Sequence, residues 1–281
     1  MTFHPGELEL QRRAGLQAMA AKVGRIIGDS LTEEAAEFLE QQPLVLLGHR
    51  DSEGRVRVTP LTGRPRFVRV TEPRLIELSG PPLPGGEAGL LAIDFRERIR
   101  LRVNGTLEPR NGGSRLRARE VYWNCAKYIQ ARSIEAEAPR EPAPVRRSAL
   151  LTPDQEDLIR NADTFFIATV PPGQAADVSH RGGNPGFVRI AGGRRLEWAD
   201  YPGNAMFNTL GNLLLDPEAG LLFVDFQRGT LLNLNGRATV DGGTKRTVAL
   251  EISEVRETPD GHPYRWSPPA YSPFNPAGPR D

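Results

Sequence analysis

Short runs in which apolar residues alternate with polar ones cover most of the chain, and turn residues separate these runs. Residues 44–61, LVLLGHRDSEGRVRVTPL, contain two such runs joined by an Asp-Ser-Glu-Gly turn, and RFVRV and RLIEL follow as further runs. A period of two between bounding turns predicts β-strands. We therefore expect a chain that is mainly β.

The first 40 residues have a different pattern, because their apolar residues recur at helical spacing. Leu8, Leu16 and Met19 belong to this pattern, and Ser30 with Glu33 predicts a capping box that begins a second short helix. These helices could pack across the end of a sheet or barrel, or form an arm that closes over a ligand. Further helices are predicted at residues 123–132, at 152–161 and from near Met206 onward.

One segment occurs twice. Residues 220–240, GLLFVDFQRGTLLNLNGRATV, align without a gap to residues 89–109, GLLAIDFRERIRLRVNGTLEP, at a shift of 131 residues. Upstream, GNPGFVRI at 183–190 aligns to GRPRFVRV at 63–70, at a shift of 120 residues. Ordered matches at nearly equal shifts predict a tandem duplication of one domain, and the period is far too long for a solenoid.

Each copy has about six short strands with turns between them, which is typical of a small Greek-key or split barrel. We predict a mainly β fold with flanking helices (α+β), in which two tandem split β-barrels pack as a pseudo-dimer within one chain. The predicted divisions are an N-terminal helical arm (1–40), barrel one (41–137), a proline-rich linker (138–150), barrel two (151–256) and a proline-rich C-terminal wrap (257–281).

Composition excludes several classes of function. The formal net charge of +1 gives no overall field for nucleic acid or an anionic membrane. The single cysteine and four dispersed histidines do not form a metal site, and no nucleotide-binding or hydrolase motif is present. No leader or long apolar run occurs, so we expect a soluble, cytoplasmic protein.

Two segments of barrel two carry candidate chemistry. Residues 177–183, DVSHRGG, place Ser179, His180 and Arg181 beside two glycines, a combination that suits a phosphate but also an ordinary polar loop. Residues 203–212, GNAMFNTLGN, predict a helix whose first N–H groups could bind an anion, or a helix merely capped by asparagine. Barrel one has only the loop SGPPLPGGE at this place, so its site is predicted to be degenerate, with one competent site per chain.

These segments resemble the flavin-nucleotide-binding proteins related to pyridoxamine 5′-phosphate oxidase, whose fold is the FMN-binding split barrel. The resemblance rests on FVRI, LEWADYPGN, FNTLGNLLLDPEAGLLFVDF and LLNLNGRA in barrel two, and on NCAKYIQ after barrel one. It implies that FMN lies between the two barrels, mainly on barrel two. Asn208-Thr209 stands at the family's phosphate-binding Arg-Lys pair, so either Arg181 or Arg189 takes over that role or the ligand binds weakly.

The polar loop, the helix start and the resemblance together nominate a set of cofactor-binding residues. From barrel two the candidates are Ser179, His180, Arg181, Gly182, Arg189, Trp198, Ala199, Asp200, Asn204, Met206, Phe207, Asn208 and Thr209. From barrel one, Lys127, Tyr128 and Gln130 are the candidates to approach the flavin ring across the interface. No catalytic acid or base is nominated.

The expected function is that of an FMN-dependent oxidoreductase, with a small-molecule substrate or NAD(P)H as further partners and a homodimer as a further possibility. Vitamin B6 oxidation is not favoured, because the oxidase's substrate-binding Arg and His have only a loose counterpart in Tyr264-Arg265-Trp266. The first alternative is a module that stores flavin, heme or a deazaflavin without turnover. A nucleic-acid-binding barrel is a weaker alternative, because no basic stacking groove is evident.

Overall fold

The structure is a computed structural model, and it describes residues 3–137, 143–242 and 245–276. It is mainly β, and its two large sheets are consistent with split barrels. Part of the predicted linker (138–142) and the end of the predicted wrap (277–281) lie outside the described residues.

The first sheet is formed by the first half of the chain. Its antiparallel strands lie in the order β2-β1-β5-β6-β7-β4-β3. The strands are β1 (Leu44–Arg50), β2 (Val56–Thr62), β3 (Val68–Glu72), β4 (Leu75–Ser79), β5 (Gly86–Asp94), β6 (Ile99–Arg110) and β7 (Gly113–Asn124).

The second sheet follows the same plan. Its strands are β10 (Thr164–Thr169), β11 (Asp177–Gly182), β12 (Val188–Ala191), β13 (Arg195–Asp200), β14 (Glu218–Val224), β15 (Leu231–Asp241) and β16 (Arg246–Thr258). They lie in the order β11-β10-β14-β15-β16-β13-β12, which repeats the first order strand for strand. The two segments that match in sequence therefore form equivalent hairpins, β5–β6 and β14–β15.

Connecting segments join the two halves. In the predicted linker, β9 (Arg146–Ser148) pairs with β16. In the C-terminal segment, β17 (Tyr264–Trp266) pairs with β8 (Ile134–Glu137), and Tyr264 and Trp266 are buried. The C-terminal segment thus packs on the body up to the last described residue.

The helices differ from the predictions at several ends. They are α1 (Pro5–Ala14), α2 (Gln17–Val23), a 3-10 helix (Gly24–Ile26), α3 (Glu33–Gln41), α4 (Pro153–Asn161) and α5 (Asn208–Leu215). The N-cap of α3 is Thr32, not Ser30, because its hydroxyl accepts the N–H of Ala35 at 3.2 Å. The helix predicted at 123–132 is wrong: residues 123–124 end β7, and Ala131 forms a bridge with Ala270 of the C-terminal segment.

The two sheets meet where the repeated segment begins. A methyl group on Gly220 of β14 would lie 2.3 Å from the carbonyl oxygen of Val56, in β2 of the first half. A methyl group on Gly89 of β5 would lie 3.1 Å from the backbone nitrogen of Val178, in β11 of the second half. Each glycine therefore lets its own sheet approach the edge strand of the other half.

The ends of the repeated segments also meet in a shared core. The rings of Phe95 and Phe226 lie edge to face at 5.4 Å, and Trp266 contacts both, at 5.3 and 5.8 Å. These side chains belong to one buried cluster that draws on both sheets, while each half also has a cluster of its own. Burying the aromatic groups at this interface stabilises the packing of one half on the other.

Two ionic contacts made by equivalent positions of the edge strands cross the same interface. Arg57 of β2 is buried and contacts Glu254 of the second half at 2.5 Å. Asp177, at the equivalent position in β11, contacts Arg102 of the first half at 2.5 Å. The charges are reversed between the two contacts, so equivalent positions of the halves are not chemically equivalent.

No helix in the described part of the chain is both long and apolar enough to cross a membrane.

The glycine contacts give a test of the interface. We expect Gly220→Ala to lower the free energy of unfolding by about 1–3 kcal/mol, because the new methyl would overlap a backbone oxygen that cannot move independently of β2. Thermal unfolding followed by circular dichroism measures this. Gly28→Ala is the matched control, since a methyl there would lie an ordinary 3.7 Å from its nearest neighbour. Equal melting temperatures for the two variants would contradict the proposed close approach.

Candidate ligand-binding site

A cavity of about 530 Å³ lies between the two halves of the molecule. The second half supplies residues of β11, β13 and the segment that leads into α5. The first half supplies residues of β6 and of the segment after β7, and the N-terminal region adds Ala14, Leu16 and Met19. The volume and the position between two domains are typical of a small-molecule site.

The segment between β13 and β14 shapes one wall of this cavity. Ala205 and Phe207 both have a φ of 64°, a conformation that residues other than glycine rarely adopt. Phe207 is the N-cap of α5 and provides no side-chain cap, so the N–H groups of the first turn lack that partner. Helix α5 begins at Asn208, two residues later than the predicted start near Met206. The first turn of α5 is uncapped, and the backbone just before it is strained. Such a helix start is suited to a ligand that supplies hydrogen-bond acceptors.

A buried network connects α5 with both sheets. The guanidinium of Arg102 donates to Ser179 Oγ at 2.6 Å and to the Tyr122 hydroxyl at 2.9 Å, and it contacts Asp177. Thr209 Oγ1 donates to the other oxygen of Asp177 and lies 2.9 Å from Ser179 Oγ. The hydroxyl groups of Ser179 and Thr209 therefore position the helix start.

Arg100 and His180 form a second polar group in the lining. Arg100 donates to the backbone oxygens of Cys125 and Lys127 and lies 3.3 Å from His180 Nδ1. Burial and the neighbouring Arg102 lower the pKa of Arg100 to about 9. Burial, followed by Arg100 and Arg181, holds the pKa of His180 well below its usual value. His180 is therefore neutral, and the contact with Arg100 makes Nδ1 the acceptor and Nε2 the donor.

Three buried nitrogen atoms of the lining have no hydrogen-bond partner among the described residues. They are Nε of Arg100, Nε of Arg102 and Nε2 of His180. All three are donors in the states described above, whereas a fourth unpaired atom of the described lining, Asn124 Oδ1, is an acceptor. Because an unpaired buried donor is costly, this group of atoms fits a ligand that is rich in acceptors.

The remaining cations of the lining differ in whether an acidic side chain neutralises them. Arg246 contacts Asp200 at 2.9 Å and covers the ring of Phe207 at 4.7 Å. Arg181 has no hydrogen bond or ion pair within the described residues, and the ammonium of Lys127 makes only a cation–π contact, 5.5 Å from the ring of Phe274. The cavity is therefore electropositive.

The N-terminal arm packs on α5. Gly6 allows the approach, since a methyl there would lie 2.2 Å from the oxygen of Gly211. The Glu7 carboxylate accepts from the Asn208 side chain at 2.7 Å, and Gln11 donates to the backbone oxygen of Met206 at 3.2 Å. Helix α1 therefore holds α5 in place, while Leu16 and Met19 of the segment after it line the cavity.

Most of the nominated residues line this one cavity: Lys127, Tyr128, Ser179, His180, Arg181, Gly182, Trp198, Ala199, Asp200, Asn204, Phe207, Asn208 and Thr209. Arg189, Met206 and Gln130 do not line it. The Arg189 side chain is 78% exposed on β12, and Met206 is fully buried.

Gln130 holds two loops together, and Tyr264, at the equivalent position, does the same for the equivalent loops. Its amide nitrogen lies 3.5 Å from the oxygen of Asp163 and 3.3 Å from that of Gly183. In the other half, the Tyr264 hydroxyl donates to Pro43 and Gly63, which are the equivalents of Asp163 and Gly183. Gln130 and Tyr264 thus clamp the same two loops of the two halves.

The sequence reasoning missed several lining residues: Arg100, Arg102, Asn124, Tyr201 and Arg246. A signal for the first two was present in the repeat, because Arg100 and Arg102 align with Leu231 and Asn233. Charged residues that only one copy carries are candidates for a site that only one copy serves.

The equivalent place on the other side of the interface does not have these charges. Leu231 replaces Arg100, Leu61 replaces Arg181, and Gly261 replaces Lys127. The loop between β4 and β5 contains no helix, so no counterpart of α5 exists there. The electropositive lining therefore belongs to one side of the interface.

No known family profile matches the chain, and no curated protein matches its sequence. Solved structures that it resembles are pyridoxamine 5′-phosphate oxidase-like, FAD-binding and heme-binding proteins. A pyridoxamine 5′-phosphate oxidase-like protein from Lactobacillus delbrueckii is 18% identical, covers 38% of this chain and 94% of its own, and has a TM-score of 0.32.

Two further structures have names that mention ligands. A FAD-binding protein from Mesorhizobium loti is 10% identical, covers 41% of this chain and 97% of its own, and has a TM-score of 0.31. The FAD and heme binding protein from Mycobacterium smegmatis is 14% identical, covers 48% of this chain and 92% of its own, and has a TM-score of 0.30. At these scores the likeness does not by itself establish a family.

Glu7 gives a test of how the arm is held on α5. Burial, the largest cause, raises its pKa to about 7 from the usual 4.5. The folded protein therefore keeps a proton that the unfolded chain loses, and stability falls as the pH rises from about 4.5 to about 7. Glu7→Gln mimics the protonated side chain, so we expect it to stabilise the protein by about 2–3 kcal/mol at pH 8 and very little at pH 4.5.

Denaturant unfolding at the two pH values measures this difference. Glu37→Gln is the control, because Glu37 is exposed on α3, away from the interface of the arm with α5. A gain from Glu7→Gln that does not change with pH would contradict a proton held in the folded state.

Proposed function

We propose that the chain binds FMN in the cavity between its two halves and is an FMN-dependent oxidoreductase of the split-barrel type. The observation that carries this proposal is an electropositive cavity with three unpaired buried donors in its described lining, Nε of Arg100, Nε of Arg102 and Nε2 of His180. Phosphate and flavin carbonyl oxygens are acceptors, so FMN would satisfy both features. Bound FMN would supply the hydride chemistry, and the protein would supply binding and orientation.

The phosphate of FMN is assigned to Arg181 and the first turn of α5. Arg181 is a cation without an ion pair within the described residues, and the first turn of α5 has no side-chain cap. Arg and backbone N–H groups are both strong phosphate ligands. Ser179 and Thr209 contribute indirectly, because their hydroxyls hold Asp177 and the helix start in place.

We also infer that the two halves arose by tandem duplication and form an intrachain pseudo-dimer. The equal strand orders, the ungapped sequence match and the equivalent clamps at Gln130 and Tyr264 support this. The site would then use one of the two equivalent places, while the other has become structural.

A storage module for flavin or heme is the second candidate, and the state of His180 favours it. This imidazole is buried and neutral, and it is poorly placed to exchange protons with solvent. Reduction of the bound flavin by NADH or NADPH at catalytic rates would favour the oxidoreductase, and failure of both donors would favour storage.

Arg181 gives the direct test of the phosphate assignment. We expect Arg181→Ala to weaken FMN binding by about 1.5–3 kcal/mol, or roughly 10–150-fold, since a charge-assisted hydrogen bond is lost. Fluorescence titration of the flavin-free protein measures the affinity. Arg189→Ala is the matched control, because this arginine is exposed on β12 and does not line the cavity. Equal losses in the two variants, or none in either, would remove Arg181 from the site.

The stoichiometry should be one flavin per chain. The equivalent place on the other side of the interface has Leu231, Leu61 and Gly261 instead of cations and lacks a counterpart of α5. A phosphate would lose its hydration there without finding donors. Flavin released by denaturation can be measured against protein concentration, and a ratio near two would disprove the single site.

A further inference from the structure

The charge of the cavity exceeds what one phosphate requires. The described lining contains the cations Arg100, Arg102, Lys127, Arg181 and Arg246. Asp177 and Asp200 neutralise Arg102 and Arg246, respectively. Three positive charges therefore remain, whereas a phosphate monoester brings about 1.5–2 negative charges near neutral pH.

Lys127 is separate from the other two cations. Arg100 lies 3.3 Å from His180 Nδ1, and Arg181 is the next residue after His180 in β11. The ammonium of Lys127 instead lies beside Phe274 of the C-terminal segment. One phosphate beside Arg100 and Arg181 would leave the charge of Lys127 without a partner.

An aromatic pair stands next to Lys127 in the lining. The rings of Tyr128 and Tyr201 lie 5.2 Å apart, and the Tyr128 hydroxyl donates to the oxygen of Pro202 at 3.0 Å. Tyr128 also has a φ of 66°, which is unusual for a bulky residue. This strained, hydrogen-bonded position fixes an aromatic surface at the cavity wall.

None of these three side chains serves the framework that the two halves share. After β16 of the second half, Gly261 and His262 stand at the positions equivalent to Lys127 and Tyr128. Tyr201 belongs to the segment before α5, which has no counterpart between β4 and β5. None of the three side chains is repeated at its equivalent position, which points to a ligand rather than to folding.

We propose that Lys127, Tyr128 and Tyr201 form a subsite for a second ligand, a planar aromatic carboxylate, that binds beside FMN. Its ring stacks on the tyrosine pair, and its carboxylate pairs with the Lys127 ammonium. The assignment rests on the proposed function, because FMN is expected to occupy the charges around His180. It adds the chemical class of the co-substrate, which the flavin alone does not define.

The test uses the FMN-loaded protein, with benzoate as the probe and uncharged benzamide as its analogue. Perturbation of the flavin absorbance reports binding. We expect benzoate to bind and benzamide to bind at least about tenfold more weakly, because the amide lacks the charge for Lys127. Lys127→Met should weaken benzoate by about tenfold or more, and Lys127→Arg should retain most of the affinity. Lys245→Met, at an exposed position outside the cavity, is the control.

Three other outcomes would contradict the proposed subsite, each for a different reason. Equal affinities for benzoate and benzamide, or an unchanged benzoate affinity in Lys127→Met, would show that Lys127 holds no carboxylate. A loss of FMN in Lys127→Met as large as in Arg181→Ala would assign Lys127 to the phosphate. A protein without any flavin spectrum would refute the proposed function itself, before benzoate is added.

Discussion

The close approach of the two sheets at Gly89 and Gly220 is the constraint on which the rest of the structure depends. The lack of a side chain at Gly220 lets β14 lie against β2 of the opposite half, and Gly89 gives β5 a similarly close approach to β11. This contact brings Phe95 onto Phe226 and places Arg102 of one half within reach of Asp177 of the other. The cavity is a product of the same contact, because its lining comes from both halves.

The start of α5 transmits that constraint to the proposed phosphate site. Asp177 is held by Arg102 across the interface and in turn accepts the hydroxyl of Thr209, the second residue of the helix. From the other side, α1 packs on the helix through Gly6 and Glu7. The first turn of α5 is thus fixed by contacts from the first half and from the N-terminal arm, and its own N-cap contributes no side-chain bond.

The sequence predicted a mainly β fold and nominated about half of the residues that line the cavity, because an ungapped repeat and a polar loop beside glycines are local signals. It did not place Arg100 and Arg102, since nothing in β6 alone indicates which face meets the other half. It assigned Gln130 to the ligand, whereas the amide clamps two loops. The helix predicted at 123–132 was wrong because pairing of Ala131 with Ala270, distant in sequence, overrides a local pattern.

Placing both halves on one polypeptide frees them from the symmetry of a homodimer. Two identical subunits related by a two-fold axis must present the same residue at both equivalent places, so a change that improves one place also alters the other. In this chain Arg100 and Leu231, or Arg181 and Leu61, can differ independently. One place can therefore accumulate charge while its twin accumulates apolar packing, and the tether keeps the partners together at any protein concentration.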